Sequence, residues 1–240
     1  MLKLTGFRKF CSLLMLTLAS WSATTNASAA DALSPKDRAL IPVAAFTASG
    51  DIEQLKVSLN EALNTGLTVN ELKEVLVQLY AYAGFPRSLN GLTAFMTVLD
   101  ERQSQGITDV QGKASSPLPT DVSSLAFGAA NQTRLVGAEV KGPLFDFAPQ
   151  VDDYLKAHLF GDIFERDGLS WKQRELATIA ALANMSGVNS QLAAHYAISM
   201  NNGVSPAELT DFIAVLDVLC GAEIAANAQQ VLEHVLKNTP

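Results

Sequence analysis

"LSWKQRELATIAAL", residues 169–182, has a counterpart 136 residues earlier in "LSPKDRALIPVAAF", residues 33–46. In each, a serine (Ser34, Ser170) stands just before a run with apolar residues at helical spacing, where an N-cap belongs. The correspondence continues downstream, shifted by one inserted residue. "LNEALNTGLTVNELKEVL" (59–76) matches "YAISMNNGVSPAELTDFI" (196–213), and "AYAGFPRSLNG" (81–91) matches "VLCGAEIAANA" (218–228) more weakly. Self-similarity of this kind marks two copies of one structural unit. Gly66 and Gly203 fall where a helix ends in the left-handed conformation. Thr68 and Ser205 then open the next helix, each with a glutamate three residues on (Glu71, Glu208), the spacing of a capping box. "GFP" at 84–86 breaks the third helix from the fourth, because Pro86 disfavours helical geometry at Phe85. Alternating β-branched residues are scarce. The predicted fold is all-α, two tandem repeats of a small bundle with about four helices each.

Outside the repeats the chain reads differently. "MLKLTGFRKF" carries Lys3, Arg8 and Lys9, "CSLLMLTLASW" is a short apolar run, and "NASAAD" offers small residues to a signal peptidase. Residues 1–30 are therefore expected to be a secretory signal cleaved after Ala29 or Ala30, and the mature protein periplasmic or secreted. No later stretch has the roughly 18 apolar residues that a spanning helix needs, so no membrane association is expected after cleavage. The expected domains are 31–102 for the first repeat, 103–143 for a linker and packing arm, and 144–240 for the second repeat. "QSQGITDVQGKASSPLPTD" (103–121) is polar and turn-rich, "LVGAEVKGPLFDFAPQ" is apolar enough to pack across the other repeat, and "DDYLKAHLFGDIFERDG" (152–168) reads as a helix introducing the second repeat.

Charge and cysteine content exclude several functions. The formal net charge is −7 for the whole chain and −10 without the three signal-region cations, which repels phosphate backbones and argues against nucleic acid. Cys220 is the one cysteine beyond the signal, so an intrachain disulfide is impossible there, and it reads as a buried, inert thiol. Metal binding would need clustered ligands, and no such spacing occurs. The chain holds three histidines. His158 reads as packing or interface and His234 as exposed on the last helix. His195, in "QLAAHYAISMNNGVS", lies among alanines, with Ala193 and Ala194 leaving room beside its ring.

These residues together resemble the carboxymuconolactone decarboxylase family, which also includes the alkylhydroperoxidase D-type proteins. "HLFGDIFERDGLSWKQRELATIAAL" and "AAHYAISMNNGVSPAEL" carry the resemblance in the second repeat, and "NEALNTGLTVNELKEVLVQLYAYAGFP" in the first. The resemblance implies rings of helical units, hence a homo-oligomer in which three two-repeat chains complete six units. It also implies a small-molecule substrate, no cofactor, His195 as the family histidine, and Glu175 as its partner in a proton relay. The hydroperoxidase-type members place two cysteines seven and four residues before that histidine, where this chain has Val188 and Gln191. Dithiol peroxide reduction is therefore not expected at this site.

In a carboxymuconolactone-type reaction, loss of CO2 leaves an enolate that must be protonated at carbon. His195 would donate that proton with Glu175 behind it. Arg87, just after Pro86, is the candidate to hold a substrate carboxylate. Tyr80 and Tyr82 read as core or interface aromatics, with Tyr82 also a candidate substrate contact. In the first repeat Ser58 stands at the position of His195 and Ala39 at that of Glu175, while the aromatic helix break is kept, so a composite site between units is open. Two further readings remain at this point. The chain could be a non-catalytic oligomeric binding or scaffold protein of the same fold, or a peroxide-related redox protein lacking the cysteine pair. For the individual residues, His195 could be a structural core histidine and Glu175 a surface acid paired with Arg174 or Lys172, while Glu71, Glu74 and Glu208 need no role beyond capping and the helix dipole.

Overall fold

The serine caps and glycine stops set the helix limits. The computed structural model describes residues 32–238, and all their regular structure is helical. The proposed signal and its cleavage site lie outside these residues. The first unit comprises α1 (Pro35–Ser49), α2 (Ile52–Asn64), α3 (Val69–Gln78) and α4 (Tyr80–Ser104). Then come α5 (Ser124–Val136), α6 (Pro143–Phe147), α7 (Pro149–Tyr154) and a π-helical stretch, Leu155–Ile163. The second unit follows as α8 (Trp171–Ala183), α9 (Asn189–Asn201), α10 (Pro206–Leu219) and α11 (Ala222–Asn238). Ser34 and Ser170 cap α1 and α8 as read, and both predicted capping boxes form at α3 and α10. α3 ends before "GFP", and one further turn intervenes before the break itself. There Gly84 leaves helical geometry at φ 83°, ψ 158°, a conformation that costs glycine little.

The two units pack as copies of each other. α2 folds onto α1 as α9 folds onto α8, and α1 and α8 lie against one another at the centre. Ile41–Ala48 of α1 and Glu175–Ala183 of α8 are buried without interruption. A helix apolar on all sides belongs in the interior, and here the two central helices join both repeats into one continuous core running from Leu40 through Leu176 to Leu232.

Ion pairs cross between the repeats at equivalent positions. Arg174 Nη2 donates to Glu74 Oε2 at 3.0 Å, and Arg38, the counterpart of Arg174, pairs with Asp211, the counterpart of Glu74. Glu74 is thus more than a helix-dipole residue. It is buried, it also accepts a bidentate pair from Arg166 (3.0 and 2.5 Å), and Arg174 beneath it is fully buried. Burial pushes the Glu74 carboxyl upward, but hydrogen bonds from Arg166 and Arg174 outweigh it and hold the group below its usual range. Gln78 completes the junction, donating to the Arg174 carbonyl and to Thr178 Oγ1, both at 2.9 Å.

The segment read as linker and arm has two characters. Its first part is a strap. The Val110 and Gln111 carbonyls accept from the Val69 and Asn70 N–H groups at 3.0 Å, satisfying first-turn donors of α3. Its second part contains α5, which the linker reading had not anticipated, capped by Ser123 and closed by Gly137 in the left-handed conformation. α5 packs on the π-helical stretch. Gly128 allows this approach, since a Cβ there would stand 1.8 Å from the Lys156 carbonyl oxygen. Pro143 and Pro149 divide the apolar residues that follow into the short α6 and α7, neither of which has a buried residue, and Phe147 is left 88% exposed.

Candidate functional site

α9 turns Leu192, His195, Tyr196 and Ser199 inward, one residue per turn or so along a single face. α8 packs against that face, which brings Glu175 opposite His195. Nδ1 of His195 lies 2.8 Å from Glu175 Oε2. Glu175 is fully buried and His195 9% exposed. Neither of the partners considered for Glu175 on the surface takes it: Lys172 pairs with Glu208 and Arg174 with Glu74. A carboxylate at Nδ1 settles the neutral imidazole as the Nδ1–H tautomer, with Nε2 the basic nitrogen.

Tyr82 comes from the other repeat. The break at Gly84 and the short turn before it place its ring edge-on to His195, centroids 5.6 Å apart at 78°. Its hydroxyl is buried beside Thr178 and Glu175 without a well-formed hydrogen bond. Thr178 Oγ1 is already committed to the Arg174 carbonyl and the Gln78 amide. Burial first, and the Glu175 carboxylate second, push the phenol far above its ordinary range, so it stays neutral. Glu175 Oε1 and Ser199 Oγ, the latter one turn beyond His195, are likewise buried without a hydrogen-bond partner among the described residues. Buried polar atoms are rarely left unpaired, and three of them surround or adjoin the His195–Glu175 pair.

Arg87 is not brought to this site. Its Nη1 donates to the Ala48 carbonyl at 2.5 Å and its side chain lies over Gly50, drawn to the exposed carbonyls at the C-terminal end of α1. No hydrogen bond or ion pair joins it to His195, Glu175 or Tyr82 among the described residues. Ala194 faces solvent and Ala193 packs at the core edge, so the room expected beside the ring is only the exposed rim of the imidazole. A cluster of Leu135, Phe160, Ile163 and Ile198, with Trp171 and Tyr82 against it, roofs this end of the second repeat. The roof is made by α5 and the π-helical stretch, which sequence reasoning missed as site elements. The capped run Ser123–Gly137 was the available signal. His158 is half exposed and bonds Asp162 at 2.8 Å. Cys220, partly buried at the end of α10, has its thiol pushed up to about 11 by burial. The described residues contain no group of three or more His, Cys, Asp or Glu able to hold a metal, and no helix long and apolar enough to cross a membrane.

A model of the carboxymuconolactone decarboxylase family matches the chain twice, over residues 16–96 and 149–234. The chain belongs to the carboxymuconolactone decarboxylase family. Its two matches coincide with the two repeats, and the first begins inside the stretch read as a secretion signal. Over 95 residues the chain is 30% identical to the 4-carboxymuconolactone decarboxylase of Acinetobacter baylyi, an alignment covering 40% of this chain and 70% of that protein.

Proposed function

We propose that this family member is an exported, cofactor-free acid–base enzyme acting on a small lactone or carboxylate, with His195 as proton donor and Glu175 as its partner. The observation that carries the reading is the 2.8 Å contact between His195 Nδ1 and the fully buried Glu175. When the substrate loses CO2, the electron pair of the broken C–C bond remains as an enolate. The protonated imidazole gives its Nε2 proton to the carbanionic carbon, and the neutral Nδ1–H tautomer is left held by Glu175. Tyr82 bounds the site from the first repeat, its neutral hydroxyl and ring limiting what can approach the imidazole.

The likeness to the A. baylyi decarboxylase supports the reaction class. The acidic surface supports a small molecule over nucleic acid as partner. We also propose that the chains assemble as trimers. Phe85, Leu89 and Met96, spaced along α4 at helical intervals, are exposed as one apolar stripe. The scaffold reading keeps one observation in its favour, since the first repeat folds with Ala39 and Ser58 in place of the acid and the imidazole.

The test is CO2 release and lactone consumption over a panel of small lactones and carboxylic acids, with His195→Ala and Glu175→Gln alongside. Turnover should fall by about a hundredfold or more in each variant. Activity that survives His195→Ala, or no turnover with any member of the panel, overturns the proposal. Light scattering that returns a monomer overturns the trimer.

A further inference from the structure

The position in the first repeat that corresponds to the His195 site is hollow. Glu175 corresponds to Ala39, His195 to Ser58 and Tyr82 to Leu219, and all three of these counterparts, the last contributed by the second repeat, line one cavity of about 510 Å³. Truncating an acid to a methyl and an imidazole to a hydroxymethyl removes the side-chain volume that fills this place in the second repeat. Among the described residues nothing roofs it either. The second repeat is covered by α5 and the π-helical stretch, whereas Val218 at the edge of the first-repeat cavity is 79% exposed.

We infer that this cavity is a binding site for a small, neutral, largely apolar molecule, separate from the His195 site and without chemistry of its own. Its size falls within the roughly 300–1,000 Å³ typical of small-molecule sites. Pro35, Pro42, Val215 and Leu219 supply apolar walls. The one cation in the lining, Arg38, is already paired with Asp211, and Glu61 adds a negative charge at the edge. That balance disfavours an anionic ligand, in contrast to the carboxylate or lactone proposed for the second repeat. Ser58 is already engaged, since its hydroxyl donates to the Gln54 carbonyl at 2.9 Å, and no histidine lines the cavity with it among the described residues. The site binds and does not react.

The probe is N-phenyl-1-naphthylamine, a neutral fluorophore that brightens in apolar surroundings, titrated into the protein comprising residues 31–240. One probe should bind per chain, and its sulfonated analogue should bind about tenfold more weakly. Ala39→Phe and Ser58→Leu fill the cavity from two different helices, and each should weaken binding about tenfold. Leu219→Glu, at a half-exposed position where a charge does not burden folding, should do the same and keeps the test decisive if a filling variant melts early. His195→Ala should bind as wild type does, so failure of the acid–base proposal leaves this result standing. The inference is overturned if the probe does not bind, if it binds all three cavity variants as it binds wild type, or if His195→Ala abolishes binding. It is also overturned if light scattering and crosslinking show a second copy seated over Val218 with the probe excluded.

Discussion

Glu74→Ala should be among the most damaging single changes in this protein. Among the described residues Glu74 is the only carboxylate paired with Arg174, whose side chain is fully buried among α3, α8 and the chain around Arg166. Removing the acid leaves a guanidinium in the interior with its positive charge uncompensated, and breaking a buried pair in this way costs about 3–5 kcal/mol. Arg166 contributes less to the loss, because it is more than one-third exposed and water can replace its partner. With a urea m-value of about 2–3 kcal/mol per molar, the midpoint of unfolding should fall by about 1–2 M. Replacing both partners, Glu74→Leu with Arg174→Met, should cost clearly less than the sum of the two single changes.

The pH dependence follows from the lowered pKa. A carboxyl held below its unfolded value stabilises the fold above that value, about 4.3, and the contribution is lost as pH falls through the folded value. The gap between wild type and Glu74→Ala should be full at pH 7 and shrink below about pH 4. A cost under about 1 kcal/mol at pH 7, or a gap that stays constant down to pH 3, would refute the argument.

Gly128→Ala should separate α5 from the π-helical stretch, costing about 3 kcal/mol by overpacking and about 6–12 °C in Tm. Tryptic cleavage at Lys141 should accelerate with it, and an unchanged Tm would show that the close approach is not needed. Cys220 should react slowly with iodoacetamide at pH 7.5 and reach half its limiting rate near pH 11. Turnover of an organic hydroperoxide with a dithiol should be absent, as Val188 and Gln191 hold no thiol. Detecting that turnover, and losing it in Cys220→Ser, would reverse this conclusion. Mass spectrometry of exported protein should find the chain starting at Ala30 or Asp31; an intact Met1 on exported material would contradict the cleavage.

The legible parts of this molecule are those governed by residues near one another in sequence. Ser34, Ser170, Thr68 and Ser205 cap their helices as read, because a side-chain oxygen and an N–H three residues on need no tertiary context to meet. The repeat was legible for a related reason: two copies of one unit carry the same local signals at the same intervals. The pairing of His195 with Glu175 could be named in advance because twenty residues span two antiparallel helices and the turn between them. The placing of Arg87 at the Ala48 carbonyl was not legible, for lack of such a constraint. Its long side chain could reach several places, and the free carbonyl at Ala48 competed for it. Glu74 was underread because its role depends on Arg166 and Arg174, about a hundred residues away. The helix in 124–136 was passed over because its neighbours, rich in Ser, Pro and Gly, read as linker.

By itself the sequence determined an all-α chain of two related units, the limits of most of their helices, and the absence of the cysteine pair. Only the tertiary structure decided that α1 and α8 join the units into one core, that Tyr82 of the first repeat faces His195 of the second, and that α5 roofs one site while its counterpart is open among the described residues. The physical reason is distance. Caps, turns and periodicity act within a few residues, whereas the burial of Arg174, the isolation of Glu175 and the hollow at Ala39 arise from surfaces that meet only when the chain has closed on itself.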